Sequence, residues 1–547
     1  MDKKTINVKN AVLAASAVLL TAGQVLFFSG LQVQGLALSL AAVLFTALLF
    51  PRIRGAIAGI KNGLFIALFA AFAAIAVYLA SSGTGYALWF FLASAAFLLL
   101  MMRSSGGISG LTGIQQESAK PEKWEKYFLI LLIAILFFTR MFMPGQYPAG
   151  AGGHEGEMHH YVNDLKIEYT GHSFPPNISF PTLVFYQGIF ASKFFGDEIG
   201  SYRLPSGLWG AAGIIAFYFL ARALFSPRAA AFAALLFAAS NLHIVQSRWF
   251  YAGTILIPPL LAGFAFIIYG IRHRKWYLFF LAGLAAGFAL HGYFPGRGAP
   301  LIFLAWFCAS FVLWRGFRIT APHFLVFWLG FAITGSPVIL FALKHPQVYF
   351  QYMTHANPNT GQGIGRYIET IALNFREYAR VFHFRSDMDY SFQMGRPPIL
   401  DRVTGALFPP AFFAAFLLFF RPVSAFILLV FFAGMLPAML GDAGFDHPTQ
   451  RRMIMALPAV YLFAALSFEA LRRAIAPPHK TKTAVIFFIL SLTAASAVVI
   501  KSSRNFFFDY CGSPYQSMMY GRPFYEGGQI FKRKKRTCAL RQPLFPE

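Results

Sequence analysis

Long apolar runs recur along this chain and constrain its fold more than any other feature. Stretches of about 20 residues with little or no charge, the length a helix needs to cross a bilayer, follow one another as far as residue 500. Hydrophobic residues make up 57% of the 547 residues and charged residues 12%, and a soluble fold does not bury that much apolar surface. The sequence therefore predicts an all-α integral membrane protein, a polytopic helical bundle of about 15 spans. The predicted spans are 11–28, 31–50, 63–79, 86–102, 127–142, 204–224, 229–245, 252–271, 276–294, 299–314, 324–343, 405–420, 423–440, 453–471 and 484–500.

The positive charge of the chain follows this pattern. The formal net charge is +25, and Lys and Arg concentrate in every second connection between predicted spans. Since positive loops stay on the cytoplasmic side, this alternation predicts a cytoplasmic N-terminus in a bacterial-type inner membrane. It also sends both long polar segments and the C-terminal tail to the opposite face. Topology thus explains the basic composition, and no nucleic-acid partner is expected.

The spacing of polar segments divides the chain into four parts. Residues 1–102 form a four-helix membrane block and residues 103–126 a cytoplasmic linker. Residues 127–500 form a transmembrane core with outer loops at 144–202 and 345–403, and residues 501–547 form a small basic extracytoplasmic tail. In that tail, Cys511 and Cys538 are open to either a disulfide or two free thiols. Long loops often carry function. Within the two outer loops the sequence predicts three surface helices, at 156–168, 181–195 and 366–380.

The first outer loop opens on the densest cluster of ionisable groups in the chain, which runs from His154 to His160. A partly desolvated carboxylate here, Glu155 or Glu157, would suit a general base for a hydroxyl acceptor. The alternative is that either acid only stabilises the first turn of a helix. His and Glu together are also possible ligands of a divalent metal, but their spacing fits no standard zinc motif, so no cofactor is expected to be required.

Arginines at the outer ends of the predicted spans form a second constellation. They lie on the face where the positive-inside rule does not place them, so they favour binding of a phosphate or pyrophosphate group. The alternative for each is snorkelling to lipid phosphates. The segment from His291 to Arg297 adds two glycines and a proline, which permit close approach to a ligand or simply end a helix. The six arginines are Arg140, Arg203, Arg248, Arg297, Arg451 and Arg452.

Several short motifs share their order and spacing with a known family. They are His154-Glu155-Gly156-Glu157, Phe180-Pro181-Thr182-Leu183, Arg203-Leu204-Pro205-Ser206, Ser247-Arg248, the segment Tyr293 to Pro300, and Arg452 with Pro458. Over residues 127–471 the chain thereby resembles the polytopic GT-C glycosyltransferases, in particular the protein mannosyltransferase and aminoarabinose transferase branch. Two departures matter. His154 stands where that family usually has the catalytic Asp, so the base role passes to Glu155 or Glu157. The acid often found a few residues beyond Ser-Arg is missing, and Gly253 or its neighbours occupy that region, which weakens any claim for an additional carboxylate.

The resemblance implies an inverting sugar transfer at the outer face of the membrane. The expected donor is a polyprenyl-phosphate sugar, and the expected acceptor is a hydroxyl on a lipid, a glycan or a protein. Membrane lipids are expected to surround the protein. The implied catalytic residues are Glu155, Glu157 and His154, and the implied donor-phosphate-binding residues are Arg297, Arg452, Arg248, Arg203 and Tyr293.

Two other functions stay open from the sequence. A transporter or flippase for a lipid-linked or anionic solute would also use many spans and arginines near the membrane. A catalytically inactive relative could serve as a membrane scaffold. The acids of the core lie in loops rather than near predicted span centres, which favours chemistry at a membrane face over transport.

Overall fold

The structure is a computed structural model of the chain. It describes residues 62–81, 87–104, 121–151, 153–167, 182–313, 319–355, 364–384, 398–441, 450–475, 481–512, 525–526 and 529–530. The predicted spans 11–28 and 31–50, together with Cys538, lie outside these residues.

The described chain is almost entirely helical, which confirms the predicted fold class. The three predicted surface helices are present as α4 (Gly153–Ile167), α5 (Leu183–Phe195) and α14 (Ile364–His383). Short 3-10 segments lie at Ala252–Thr254, Ala289–His291, Phe294–Gly298 and Gln450–Met453, and a π-helical turn follows the last helix at Asn505–Tyr510. Strands β1 (Tyr525–Glu526) and β2 (Gln529–Ile530) form one short antiparallel pair. The helices are α1 Asn62–Ser81, α2 Ala87–Ser104, α3 Lys123–Met141, α4 Gly153–Ile167, α5 Leu183–Phe195, α6 Ile199–Leu224, α7 Pro227–Ala238, α8 Asn241–Ser247, α9 Ile257–His273, α10 Trp276–Phe288, α11 Ala299–Leu313, α12 Ala321–Lys344, α13 Pro346–His355, α14 Ile364–His383, α15 Arg402–Leu417, α16 Pro422–Met439, α17 Leu457–Ile475 and α18 Thr481–Arg504.

Five helices in the described ranges are long and apolar enough to cross a membrane. A sixth span is possible if the bent pair of α7 and α8 crosses as one element. Several shorter apolar helices accompany them, so the protein is polytopic, while the count of about 15 stays a prediction. The five candidate spans are Ile199–Leu224, Ala252–His273, Ala321–Lys344, Pro422–Met439 and Lys482–Tyr510.

The predicted single span at 229–245 is wrong in one respect, because the helix breaks within it. Helices α7 and α8 meet at an angle of 63°. The break occurs at Ser240, whose hydroxyl accepts a hydrogen bond from the backbone N–H of His243 and so caps the start of α8. Apolar composition alone did not reveal this cap. The predicted span at 276–294 likewise ends early, with α10 stopping at Phe288.

Contacts divide the chain into two compact units. One contains α1, α2, α15, the first part of α16, most of α17 and the first part of α18, and within it α15 packs against α1 and α2. The other contains helices α3 to α14 and the remaining parts of α16 to α18. Every predicted site residue lies in this second unit.

Glycines set the distance between α10 and α12 in the second unit. A side chain at Gly283 would collide with the carbonyl oxygen of Phe327, and one at Gly287 would collide with the carbonyl oxygen of Phe331. The four-residue spacing puts both glycines on one face of α10, which lets the two helix backbones touch.

We expect Gly283→Ala to destabilise the protein, because the added methyl group must push α12 away from α10. Thermal unfolding of the purified protein in detergent measures this loss. Gly365→Ala is the matched control, since a Cβ at Gly365 meets nothing within 4 Å. Equal stability of the two variants would contradict the close helix contact.

Candidate functional site

A buried ion pair joins the first outer loop to the membrane helices. Glu155 lies in the first turn of α4, where an acid is favoured by the helix dipole. Its side chain is fully buried, and so is that of Arg203 in the second turn of α6. Arg203 donates from Nε to Glu155 Oε1 over 2.8 Å and from Nη2 to Oε2 over 2.6 Å. The backbone N–H of Phe250 adds a third bond to Oε1 at 2.9 Å.

Arg203 also holds the backbone of the loop that leads into α4. Its Nη1 donates to the carbonyl oxygens of Pro144 (2.8 Å) and Pro148 (2.6 Å), and its Nη2 donates to that of Gly150 (2.6 Å). With the two bonds to Glu155, all five N–H groups of the guanidinium have an acceptor. Arg203 therefore fixes the backbone of this loop in place.

A second buried arginine holds the preceding part of the same loop. Arg248 follows α8 and is fully buried. Its Nε donates to Tyr147 O over 2.9 Å, Nη1 to Thr139 O over 3.2 Å, and Nη2 to Phe142 O over 2.6 Å and Met143 O over 3.4 Å. Burial lowers the pKa of this guanidinium to about 9, so it stays charged at neutral pH. The two arginines together fix the segment between α3 and α4, called the entrance loop below (residues 142–151).

These contacts bear on the roles predicted for three site residues. A general base must reach the proton of the acceptor, whereas the carboxylate of Glu155 is enclosed and accepts three hydrogen bonds. Binding of a donor phosphate by Arg203 or Arg248 would require bonds to the entrance loop to open. The geometry thus favours a positioning role for Glu155, Arg203 and Arg248.

An aromatic path leads from α6 towards the second outer loop. The hydroxyl of Ser206 donates to Tyr251 O over 3.3 Å, and the ring of Tyr251 contacts that of Tyr293 at a centroid distance of 5.2 Å. Tyr293 in turn contacts the ring of Phe294 at 5.5 Å. Tyr293 is buried with 2% exposure, so it contributes to packing behind Arg297.

Arg297 is the half-buried cation at the end of this path. Its guanidinium lies 4.7 Å from the ring centre of Phe294 and 4.0 Å from that of Tyr349, and Nη1 donates to Tyr349 O. Burial lowers the pKa of Arg297 to about 10, which leaves it charged at neutral pH. Unlike Arg203 and Arg248, which are fully buried, the side chain of Arg297 is only partly buried.

The glycines beside Arg297 are required by the chain itself. A side chain at Gly292 would press on Leu256 at 2.6 Å, and one at Gly296 would collide with the carbonyl oxygen of Ala289. Close packing within the chain therefore accounts for both glycines without a ligand. It does not remove the predicted role of Arg297.

The remaining predicted residues are not joined to this network by the described contacts. Arg452 is half-buried in the 3-10 segment after residue 449, and its guanidinium occupies the space where a side chain at Gly441 would stand. The side chains of His154 and Glu157 lie outside the description. Within the described part of the chain, no three His, Cys, Asp or Glu side chains group as metal ligands.

Sequence reasoning missed two buried clusters. On α3, Glu125 accepts hydrogen bonds from Arg222 Nε at 3.0 Å and Tyr218 OH at 2.7 Å, and these two residues share one face of α6 through their four-residue spacing. Near the other end of α3, Arg140 donates to Ala238 O over 2.8 Å, at the break between α7 and α8. The four-residue spacing of Tyr218 and Arg222 was a signal in the sequence for the first cluster. The second cluster could not be predicted, because the contact of Arg140 forms only where the helix breaks between α7 and α8.

A third group lies beside the ion pair. The hydroxyl of Tyr202 donates to Asp197, and the ring of His159 meets that of Tyr202 edge-on at 4.9 Å. His159 Nε2 lies 3.9 Å from Asp197 Oδ1. Asp197 is 43% exposed, so this group connects the buried face of α4 to the surface.

Comparison with known proteins supports the resemblance drawn from the motifs. Residues 179–341 match the family model described as dolichyl-phosphate-mannose-protein mannosyltransferase. This stretch contains Arg203, Arg248, Tyr293 and Arg297, and the match confirms the resemblance to the GT-C glycosyltransferases. No curated protein matches the chain.

Solved structures of similar fold include two of ArnT from Cupriavidus metallidurans. The apo form has a TM-score of 0.47 at 14% identity, and the form bound to undecaprenyl phosphate has 0.45 at 15%. Both alignments cover 73% of this chain and 77% of ArnT. The oligosaccharyltransferase of Archaeoglobus fulgidus, in complex with Zn and sulfate, has a TM-score of 0.45 at 15% identity, over 69% of this chain and 53% of that protein.

Proposed function

We propose that this relative of the GT-C membrane glycosyltransferases transfers a sugar from a polyprenyl-phosphate donor to an acceptor hydroxyl, with inversion at the anomeric carbon. The reaction takes place at the extracytoplasmic face of a bacterial-type inner membrane. The observation that carries the proposal is the buried Glu155–Arg203 ion pair. It joins two of the motifs that carry the sequence resemblance, one in the first outer loop and one at the start of a span inside the matched stretch.

The ion pair fixes the start of α4, and we assign the chemical step to that turn. Glu155 is enclosed, so the base is a neighbouring residue of the same helix. Glu157 supplies the carboxylate, and His154 is the second candidate. A base held on a helix whose first turn is pinned keeps a constant distance to the bound acceptor, which is what proton transfer requires.

The donor phosphate is assigned to Arg297. A guanidinium that is charged, partly exposed and backed by two aromatic rings suits an anion held at a membrane surface. As the anomeric carbon is attacked, charge grows on the leaving phosphate, and a fixed cation stabilises it. Arg452 is the second predicted cation. This scheme needs no metal, so chelator should leave the transfer unchanged.

Sugar transfer from an undecaprenyl-phosphate-linked sugar, with the protein in proteoliposomes, tests the proposal. We expect product of inverted anomeric configuration that depends on the protein. Movement of the lipid-linked sugar across the bilayer without transfer would favour the transporter alternative instead. Absence of both would favour a scaffold.

In the same assay, Arg297→Ala should raise the KM for the donor about tenfold or more, since a charge-assisted bond to phosphate is lost. The KM for the acceptor should change little. Arg297→Lys keeps the charge without the planar fork and should recover part of the loss. Equal loss toward both substrates would contradict the phosphate role.

A further inference from the structure

A groove on the surface of the second unit lies between α3 and the end of α18. Its volume is about 490 Å³. The polar groups among its lining residues are two hydroxyls and one guanidinium, and the hydroxyl of Thr139 already donates to Ile135 O. The lining residues are Ala134, Ile135, Phe138, Thr139, Val499, Ile500, Ser503, Arg504, Phe507 and Phe508.

The surroundings of this groove belong to the membrane. Helix α18 and its π-helical extension form one of the candidate spans. On α3, the large side chains of Ile133, Phe137 and Phe138 are exposed by 51%, 57% and 47%, as on a surface that faces lipid. Because an apolar cavity does not hold water well, hydrocarbon is favoured over water in this groove.

A positive charge lies on the α18 wall of the groove, one helical turn beyond the apolar lining residues Val499 and Ile500. Arg504 lines the groove and is exposed, Ser503 lies beside it, and Lys501 is exposed one turn earlier. The exposed Asp509 follows in the same segment, so residues 501–509 carry two positive charges and one negative charge. A phosphate group above a hydrocarbon chain matches this arrangement.

We propose that the groove binds one acyl chain of an anionic glycerophospholipid, with the lipid phosphate on Arg504. The leaflet is the one at the end of α3 that bears the entrance loop. A glycerophospholipid fits better than the sugar donor, since no residue assigned to the donor lines the groove. This choice of lipid rests on the proposed function, in which the donor phosphate lies at Arg297.

The bound lipid has a direct connection to the entrance loop. Phe507 lines the groove, and its ring centre lies 5.3 Å from those of both Phe138 and Tyr147. The guanidinium of Arg248, which holds the loop, lies 5.2 Å from the same ring. A lipid headgroup on Arg504 lies one helical turn before Phe507, and therefore close to the ring that contacts both the entrance loop and Arg248.

Native mass spectrometry of the full chain tests this, with palmitoyl-oleoyl phosphatidylglycerol and the corresponding phosphatidylcholine as probes. We expect one retained phosphatidylglycerol per chain and weaker retention of phosphatidylcholine. Arg504→Gln should weaken retention of phosphatidylglycerol about fivefold, and Ala134→Trp, which fills the groove, should abolish it. The matched controls are Lys344→Gln, an exposed cation at the end of another candidate span, and Ile133→Trp, an exposed neighbour that does not line the groove.

Three outcomes would overturn the proposal. Unchanged retention in Ala134→Trp would place the lipid elsewhere. Equal retention of the two probes, unaffected by Arg504→Gln, would show an apolar groove without headgroup recognition. Stoichiometric displacement of phosphatidylglycerol by undecaprenyl phosphate, through the same residues, would assign the groove to the donor lipid.

Discussion

Glu157→Gln is expected to lower the turnover of sugar transfer by about 100-fold or more, the usual effect of removing a general base. The amide has the shape of the carboxylate but cannot take the proton of the acceptor hydroxyl. The amount of protein in the membrane and its thermal stability should stay unchanged, because Glu155 and Arg203 continue to hold the start of α4. Steady-state transfer in proteoliposomes measures the turnover.

His154→Gln is the matched comparison, three positions earlier on the same helix. It should leave turnover within a few-fold of the parent. The opposite pattern, with full activity in Glu157→Gln and large loss in His154→Gln, would move the base to His154. Full activity in both variants would remove this turn of α4 from the mechanism.

Arg203→Ala is expected to cost about 3–5 kcal/mol of stability, because it leaves the carboxylate of Glu155 buried without its partner. Three carbonyl groups of the entrance loop lose their donor at the same time. Thermal or denaturant unfolding of the purified protein measures the loss, and activity should fall with it. Arg203→Lys should restore little, since a lysine has three donors where five are in use.

Arg366→Ala provides the control for this variant. Arg366 pairs with Glu369 over 3.2 Å, but both side chains are more than half exposed. Such a surface pair contributes at most about 1 kcal/mol. If the Arg203 and Arg366 variants were equally stable, the buried pair would not be what holds α4.

Much of the architecture could be predicted because the membrane imposes it. The apolar runs predicted the helices, and the spacing of Ile368, Ile371 and Phe375 predicted α14. The cluster at Glu155 and the Arg-Leu-Pro-Ser motif were also recognised as features that belong together. What the motifs did not reveal is that Glu155 and Arg203 bind each other, since their side chains are 48 residues apart in sequence.

The sequence by itself determined that this chain is a polytopic helical membrane protein that resembles the GT-C glycosyltransferases, because apolar length and motif order are linear properties. Only the tertiary structure decided which charged groups are enclosed and which stay accessible. Arg203, Arg248 and Arg297 look alike in sequence, all at predicted span ends. The guanidinium groups of Arg203 and Arg248 are enclosed and donate hydrogen bonds to carbonyl groups of the entrance loop, whereas Arg297 is partly exposed. The difference arises because the entrance loop packs over α6 and the end of α8.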